Sequence, residues 1–228
     1  MKKTLLILLL FILFLIPGLK AQHKPFQFGF SGGANIGWWA TDAENYSNKG
    51  IQPGGSWGFV ADIFMMEGYS FTTGFNVLYL NGQMEMPYKV DGQEGNVDRI
   101  YKTQYVELPL IFTMKTNEIK EKFRIYGQIG FGLSFLLRAK GIDTFSPASG
   151  GKSTESEKNI YDKMTFTRES LIIGVGAEVP IHESTYARVG LKFDNAFVNV
   201  LKGYNTANSS IKNNGRNSLM ELNVAIIF

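Results

Sequence analysis

Apolar and polar residues alternate along this chain with a period of two, in eight separate runs, as expected of β-strands with one apolar face. The first run, 26–39, sets Phe26, Phe28 and Phe30 on one side. In 56–66, Trp57, Phe59, Ala61 and Ile63 oppose Gly58, Val60 and Asp62. In 69–80, Phe71, Phe75, Val77 and Tyr79 oppose Ser70, Thr72, Gly74 and Asn76. In 100–115, Val106, Leu108, Leu110 and Phe112 oppose Tyr105, Glu107 and Pro109. The run 122–138 is the most regular, with Phe123, Ile125, Ile129, Phe131, Leu133 and Phe135 facing away from Arg124, Tyr126, Gln128, Gly130, Gly132 and Ser134. Runs 168–180 and 185–196 repeat the pattern. The last, 219–228, places Leu222, Val224, Ile226 and Phe228 opposite Glu221, Asn223 and Ala225. No segment carries a helical period.

The runs reach 10 to 17 residues. Strands of soluble domains average about 5–6 residues, whereas about 9–11 cross a membrane at a tilt. The links between runs alternate strictly, four long and three short. An up-and-down barrel in an outer membrane has long loops outside and short turns in the periplasm, and an even strand count leaves both ends of the chain on the short-turn side. The apolar face is aliphatic in mid-strand and aromatic near the ends, at Phe123, Phe135, Tyr79 and Phe228, in the manner of interfacial girdles. The opposite face mixes charges with glycines, as a narrow polar interior requires. These features predict an all-β fold, an eight-stranded antiparallel up-and-down transmembrane β-barrel in the outer membrane of a Gram-negative bacterium. On this reading the apolar edge of the last strand faces lipid.

The ends refine the picture. Residues 1–21 join two lysines, an unbroken apolar run from Leu5 to Ile16, Pro17-Gly18 and a small residue at Ala21, the three-part pattern of a secretory signal peptide. Cleavage after Ala21 leaves a single barrel domain at 22–228. The formal net charge of +3 equals the contribution of Lys2, Lys3 and Lys20, so the exported part is near neutral and nothing points to nucleic acid. The chain has no cysteine, which excludes disulfides, thiolate metal sites and a lipid-bearing cysteine.

On the signal ending "KAQ", the segment "YVELPLIF" at 105–112, "GQIGFG" at 127–132 and the closing "LNVAIIF", the chain resembles the PorT-like outer-membrane β-barrels of Bacteroidetes. The resemblance implies the barrel and its location, and through the founding member of the family a part in secretion of surface-exported proteins. The aromatic end with alternate apolar residues, Leu222, Val224, Ile226 and Phe228, resembles the signal read by the barrel-assembly machinery.

The polar face carries Asp62, Glu107, Arg124, Arg168, Glu178, Arg188, Lys192, Asp194 and Glu221. An eight-stranded barrel is just wide enough to be filled by side chains, and buried charges must pair. The expected arrangement is a salt-bridged plug in which Glu107 meets Arg124 and Glu178 meets Arg188, with Lys192, Asp194 and Glu221 completing it. His182, Glu183 and Ser184 supply the atom types of a catalytic triad, but neighbours in one short turn rarely converge on one reacting atom, and His23 precedes the barrel. No cofactor fingerprint or metal-ligand spacing occurs. The expectation is a non-enzymatic barrel that docks a secretion, envelope-assembly or surface partner through its long loops. A lipid-modifying enzyme and a soluble lipocalin-like carrier are the other classes. The loops 139–163 and 196–215 stay open between partner contacts and solvated caps, the former ill-suited to a core.

Overall fold

The computed structural model describes residues 25–120, 122–150, 153–182 and 184–228. The predicted signal segment, His23 and Glu183 lie outside them. Among the described residues ten strands form one sheet: β1 (Phe26–Ala40), β2 (Ser47–Gly50), β3 (Gln52–Met66), β4 (Tyr69–Val90), β5 (Gln93–Lys115), β6 (Arg124–Pro147), β7 (Thr154–Asn159), β8 (Thr167–His182), β9 (Thr185–Ala196) and β10 (Arg216–Ile227). Eight of them, all but β2 and β7, are the staves of a closed antiparallel barrel. Each pairs with the next stave in sequence, and β1 closes on β10 from Gly29 opposite Ile227 to Ala40 opposite Arg216. The backbone of Phe228 donates to the carbonyl of Phe28 at 2.7 Å, so the last residue is held in the seam.

The outside is apolar. Phe30, Trp57, Phe75, Ile129, Phe131, Val175, Leu191, Leu222 and Val224 are exposed on outward positions. In β5 from Tyr101 to Lys115 odd residues are buried and every even residue but Gln104 and Val106 is exposed. At about 3.4 Å per residue and a tilt of about 40°, the 12 residues of β9 span about 30 Å, the thickness of a bilayer core. Rings gather near the short-turn end, where Phe28 lies 6.0 Å from Phe228 and Tyr69 6.0 Å from Phe112. A second group lies toward the other end, with Trp38 6.1 Å from Phe193 and Phe135 5.6 Å from Phe166.

Two of the expected long loops are largely strand. β4, β5 and β6 run 22, 23 and 24 residues and project past the barrel mouth as a blade, edged by β2 on β4 and β7 on β6. The β4–β5 link is a tight turn at Asp91-Gly92, with φ of +48° and +83°. Asp-Gly is a favoured pair for such left-handed hairpin turns. On β6 the register shifts between Arg138, opposite Gln104, and Leu136, opposite Tyr105. This bulge leaves Leu137 exposed at 52% and moves Ala139, Asp143 and Phe145 onto the inner face.

The 139–163 segment therefore does enter a core. Ala139 and Ile160, with Met164 just beyond, join Trp39, Leu78, Leu80, Met84, Tyr101, Tyr105, Leu136, Val200, Leu201 and Leu219 in one buried apolar cluster. It fills the mouth of the barrel and the base of the blade. The interior is thus polar at membrane level and apolar at the outer mouth, where loops replace lipid as the covering phase.

Candidate functional site

The polar interior is built in tiers. Nearest the short turns, four staves contribute one charged residue each. Arg188 of β9 lies 2.5 Å from Asp62 of β3 and 2.5 Å from Glu178 of β8, and Lys115 of β5 lies 2.9 Å from both carboxylates. Because β3 and β9 are not neighbours in the sheet, this closed set of two cations and two anions braces the bore across its width. Thr72 donates to Asp62 at 2.5 Å and lies 2.7 Å from Thr113, which accepts from Gln128 at 3.0 Å.

In the middle tier, Lys192 sits 3.2 Å from Glu221 and 3.7 Å from Glu107. Asn76 donates to Glu107 and Asn223 to Glu221. A cavity of about 60 Å³ lined by both polar and apolar side chains adjoins Glu107, Lys192 and Tyr126, room for ordered water. Above it, the fully buried Arg168 reaches Asp194 at 2.6 Å, the Asn217 side chain at 2.8 Å and Ser170 at 3.2 Å. Asp62, Glu178, Arg188, Lys115, Arg168 and Asp194 are paired and hydrogen-bonded, the condition for surviving burial, while Glu107 and Glu221 each keep one buried oxygen without a hydrogen-bond partner among the described residues. The apolar cluster then closes the mouth.

Glu178 and Arg188 meet as the alternation implies, but Glu107 and Arg124 do not. Arg124 pairs with Glu118 in the β5–β6 turn at 2.7 Å, lies over the Tyr186 ring at 5.2 Å and keeps its side chain 30% exposed. It has the inward parity, yet it is the first residue of β6, where a long side chain reaches water. Glu107 lies opposite Ser134, well along that strand. Lys115 was missed, although counting by twos from Glu107 would have found it. Asp62 and Arg168 share the inner face as expected. His182 ends β8, exposed, and Ser184 follows in the periplasmic turn.

The outer end is cross-tied by asparagines. Asn199 accepts from the backbone of Leu201 and Gly215 and donates to the carbonyl of Asn213. Asn205 donates to the carbonyl of Pro87 on the blade at 2.8 Å and to the Tyr46 hydroxyl at 2.9 Å. Tyr46 in turn donates to Asn213 at 2.6 Å, and burial pushes its phenol above the usual value, so it remains a neutral donor. The 196–215 segment is an ordered cap.

A closed barrel with a lipid-matched outer belt and a charged interior agrees with the family comparison, in which the family described as "Outer membrane protein beta-barrel domain" matches residues 20–180. The chain belongs to this outer-membrane β-barrel family. Its place is the outer membrane of a Gram-negative bacterium. Among solved structures it is similar to the outer membrane protein OprG from Pseudomonas aeruginosa, at 11% identity and a TM-score of 0.48, over 90% of this chain and 97% of that one. It is also similar to Neisserial surface protein A, at 11% identity and 0.45, over 89% and 97%. Ail of Yersinia pestis, solved in complex with the heparin analogue sucrose octasulfate, is similar at 14% identity and 0.39, over 90% and 100%. Comparison with curated proteins yields no match.

Proposed function

We propose that this protein is a sealed, non-enzymatic barrel that anchors a folded extracellular platform and presents it to a partner. The observation that carries this reading is the division of the interior: braces of charge across the bore at membrane level, then an apolar plug shared with the blade and cap. A side-chain-filled bore of eight staves leaves no route for solutes, while the strand extensions and the asparagine ties invest order in the part beyond the membrane. Binding residues are concentrated on such rigidly supported projections.

The resemblance to PorT-like barrels supports a partner in secretion or envelope assembly, and the outward row Leu222, Val224, Ile226 and Phe228 suits recognition by the barrel-assembly machinery during insertion. Two measurements test the reading. Purified protein in a planar bilayer is expected to show no steady single-channel conductance; a stable open channel would remove the sealed barrel. Deletion of the gene, followed by quantitative proteomics of medium, periplasm and outer membrane, is expected to trap a defined set of exported proteins in the periplasm. Unchanged export would remove secretion and leave surface contact as the role of the platform.

A further inference from the structure

Between the inner face of the blade and the cap lies a hollow of about 240 Å³, lined among others by Tyr88, Arg99, Lys163, Lys202, Tyr204 and Asn205. It is smaller than the roughly 300–1,000 Å³ of pockets that enclose a drug-sized ligand, and suits one ring-sized group. Its charge is uneven. Arg99 is occupied by Asp143, with both oxygens held at 2.5 and 2.7 Å, and Lys158 lies over the Tyr88 ring at 5.7 Å and 3.6 Å from the same carboxylate. Lys163 and Lys202 have no such partner. The backbone of Lys202 donates to the carbonyl of Lys163 at 2.8 Å, and the flanking Met164 and Leu201 pair as a β-bridge, so the fold holds the two lysines side by side. Among the described residues neither ammonium has a carboxylate within salt-bridge distance, and the acid beside them in the lining is the exposed Asp162. Tyr204, next to the pair, is 62% exposed, while the Asn205 side chain is tied to the blade and the Asn213 side chain to the cap.

Two adjacent cations beside a free aromatic face ask for an anion attached to something flat and polar. Lysine acts as a point charge toward a carboxylate or phosphate. A tyrosine ring offers an apolar plate with a polar edge, against which the axial hydrogens of a sugar pack while its hydroxyls meet water. We infer that this hollow binds an acidic saccharide, a sugar bearing a carboxylate or phosphate, with its anion between Lys163 and Lys202 and its ring on Tyr204. The shared chemistry has two sources, the core sugars of the surrounding lipopolysaccharide and a free acidic polysaccharide. The inference rests on reading the extracellular end as a recognition platform and names what that platform recognises.

Full-length protein refolded in detergent micelles would be titrated calorimetrically with trigalacturonic acid, with lipid-free lipopolysaccharide core oligosaccharide, with maltotriose and with inorganic phosphate. At least one acidic sugar is expected to bind about tenfold or more tightly than maltotriose and phosphate, and which one binds identifies the source. The double variant Lys163→Gln/Lys202→Gln and the single variant Tyr204→Ala are each expected to weaken binding by about tenfold, and Tyr204→Phe to retain it. Neutral sugar or phosphate binding as well as the acidic sugars, neither acidic sugar binding, or variants that keep their gel-shift fold and full affinity would overturn the assignment. Because the readout is direct, its failure is separable from an unchanged export profile or an open channel, which bear on the sealed platform itself.

Discussion

Arg188 and Arg124 are both arginines on inward parity, and their surroundings assign them opposite weights. Arg188 is enclosed and bridges Asp62 to Glu178. Arg188→Met leaves two buried carboxylates sharing Lys115, and removal of one partner from a buried set costs about 3–5 kcal/mol. The expected outcome is a drop of that order in urea unfolding followed by tryptophan fluorescence in lipid. Arg124→Ala removes a half-exposed pair and is expected to cost no more than about 1 kcal/mol in the same assay. A glycine makes a third case. Gly176 and Gly190 face each other in register, and a Cβ on either would collide with the hydroxyl of Tyr126, whose ring occupies the space they leave. Gly190→Ala is expected to destabilise by about 1–3 kcal/mol through overpacking. Adding Tyr126→Phe should recover part of that loss, which a double-mutant cycle measures.

At the scale of elements, the blade and the last strand carry separate expectations. The Asp91-Gly92 turn places Gly92 at φ +83°, a conformation that costs an L-residue about 1–2 kcal/mol. Gly92→Val should raise hydrogen exchange in the outer parts of β4 and β5 while the heat-modifiable gel shift of the barrel stays unchanged, because the turn lies beyond the closed staves. Phe228 pairs through its backbone with Phe28 and packs against its ring. Phe228→Ala is expected to lower the heat-modifiable fraction in outer membranes in vivo. Much of this level was legible. The period-two runs locate all eight staves, and the tail "LNVAIIF" reads as a lipid-facing edge. The blade was hidden because Pro87, the glycines and the charges of 81–99 and 139–147 read as loop, although Met84, Met86, Tyr88 and Val90 alternate with Gln83, Glu85 and Lys89 and "VDGQ" carries a hairpin signal in plain view.

For the molecule as a whole, the charges that matter are enclosed. Raising salt from low levels to about 1 M shortens the Debye length to about 3 Å and screens exposed pairs, leaving buried ones little affected. The unfolding midpoint in urea should therefore change little with sodium chloride, after correction for the effect of salt on the lipid. A large loss of stability at high salt would mean that water and ions reach the braces, and so that the bore is open.

Alternation, run length and the rhythm of links are properties of neighbouring residues, and they are enough to determine a closed eight-stave barrel, its inverted faces and its membrane. Partner choice inside the bore is different. Asp62 and Arg188 are brought together by closure and stagger across staves that never touch, which no count along the chain contains. The same holds for the mouth, where Trp39, Tyr101, Ile160 and Leu201 come from separate strands and loops. Their local pattern records only that they are apolar; whether they meet lipid or one another is decided by the blade and cap that cover them, since burial is a property of the assembled surface.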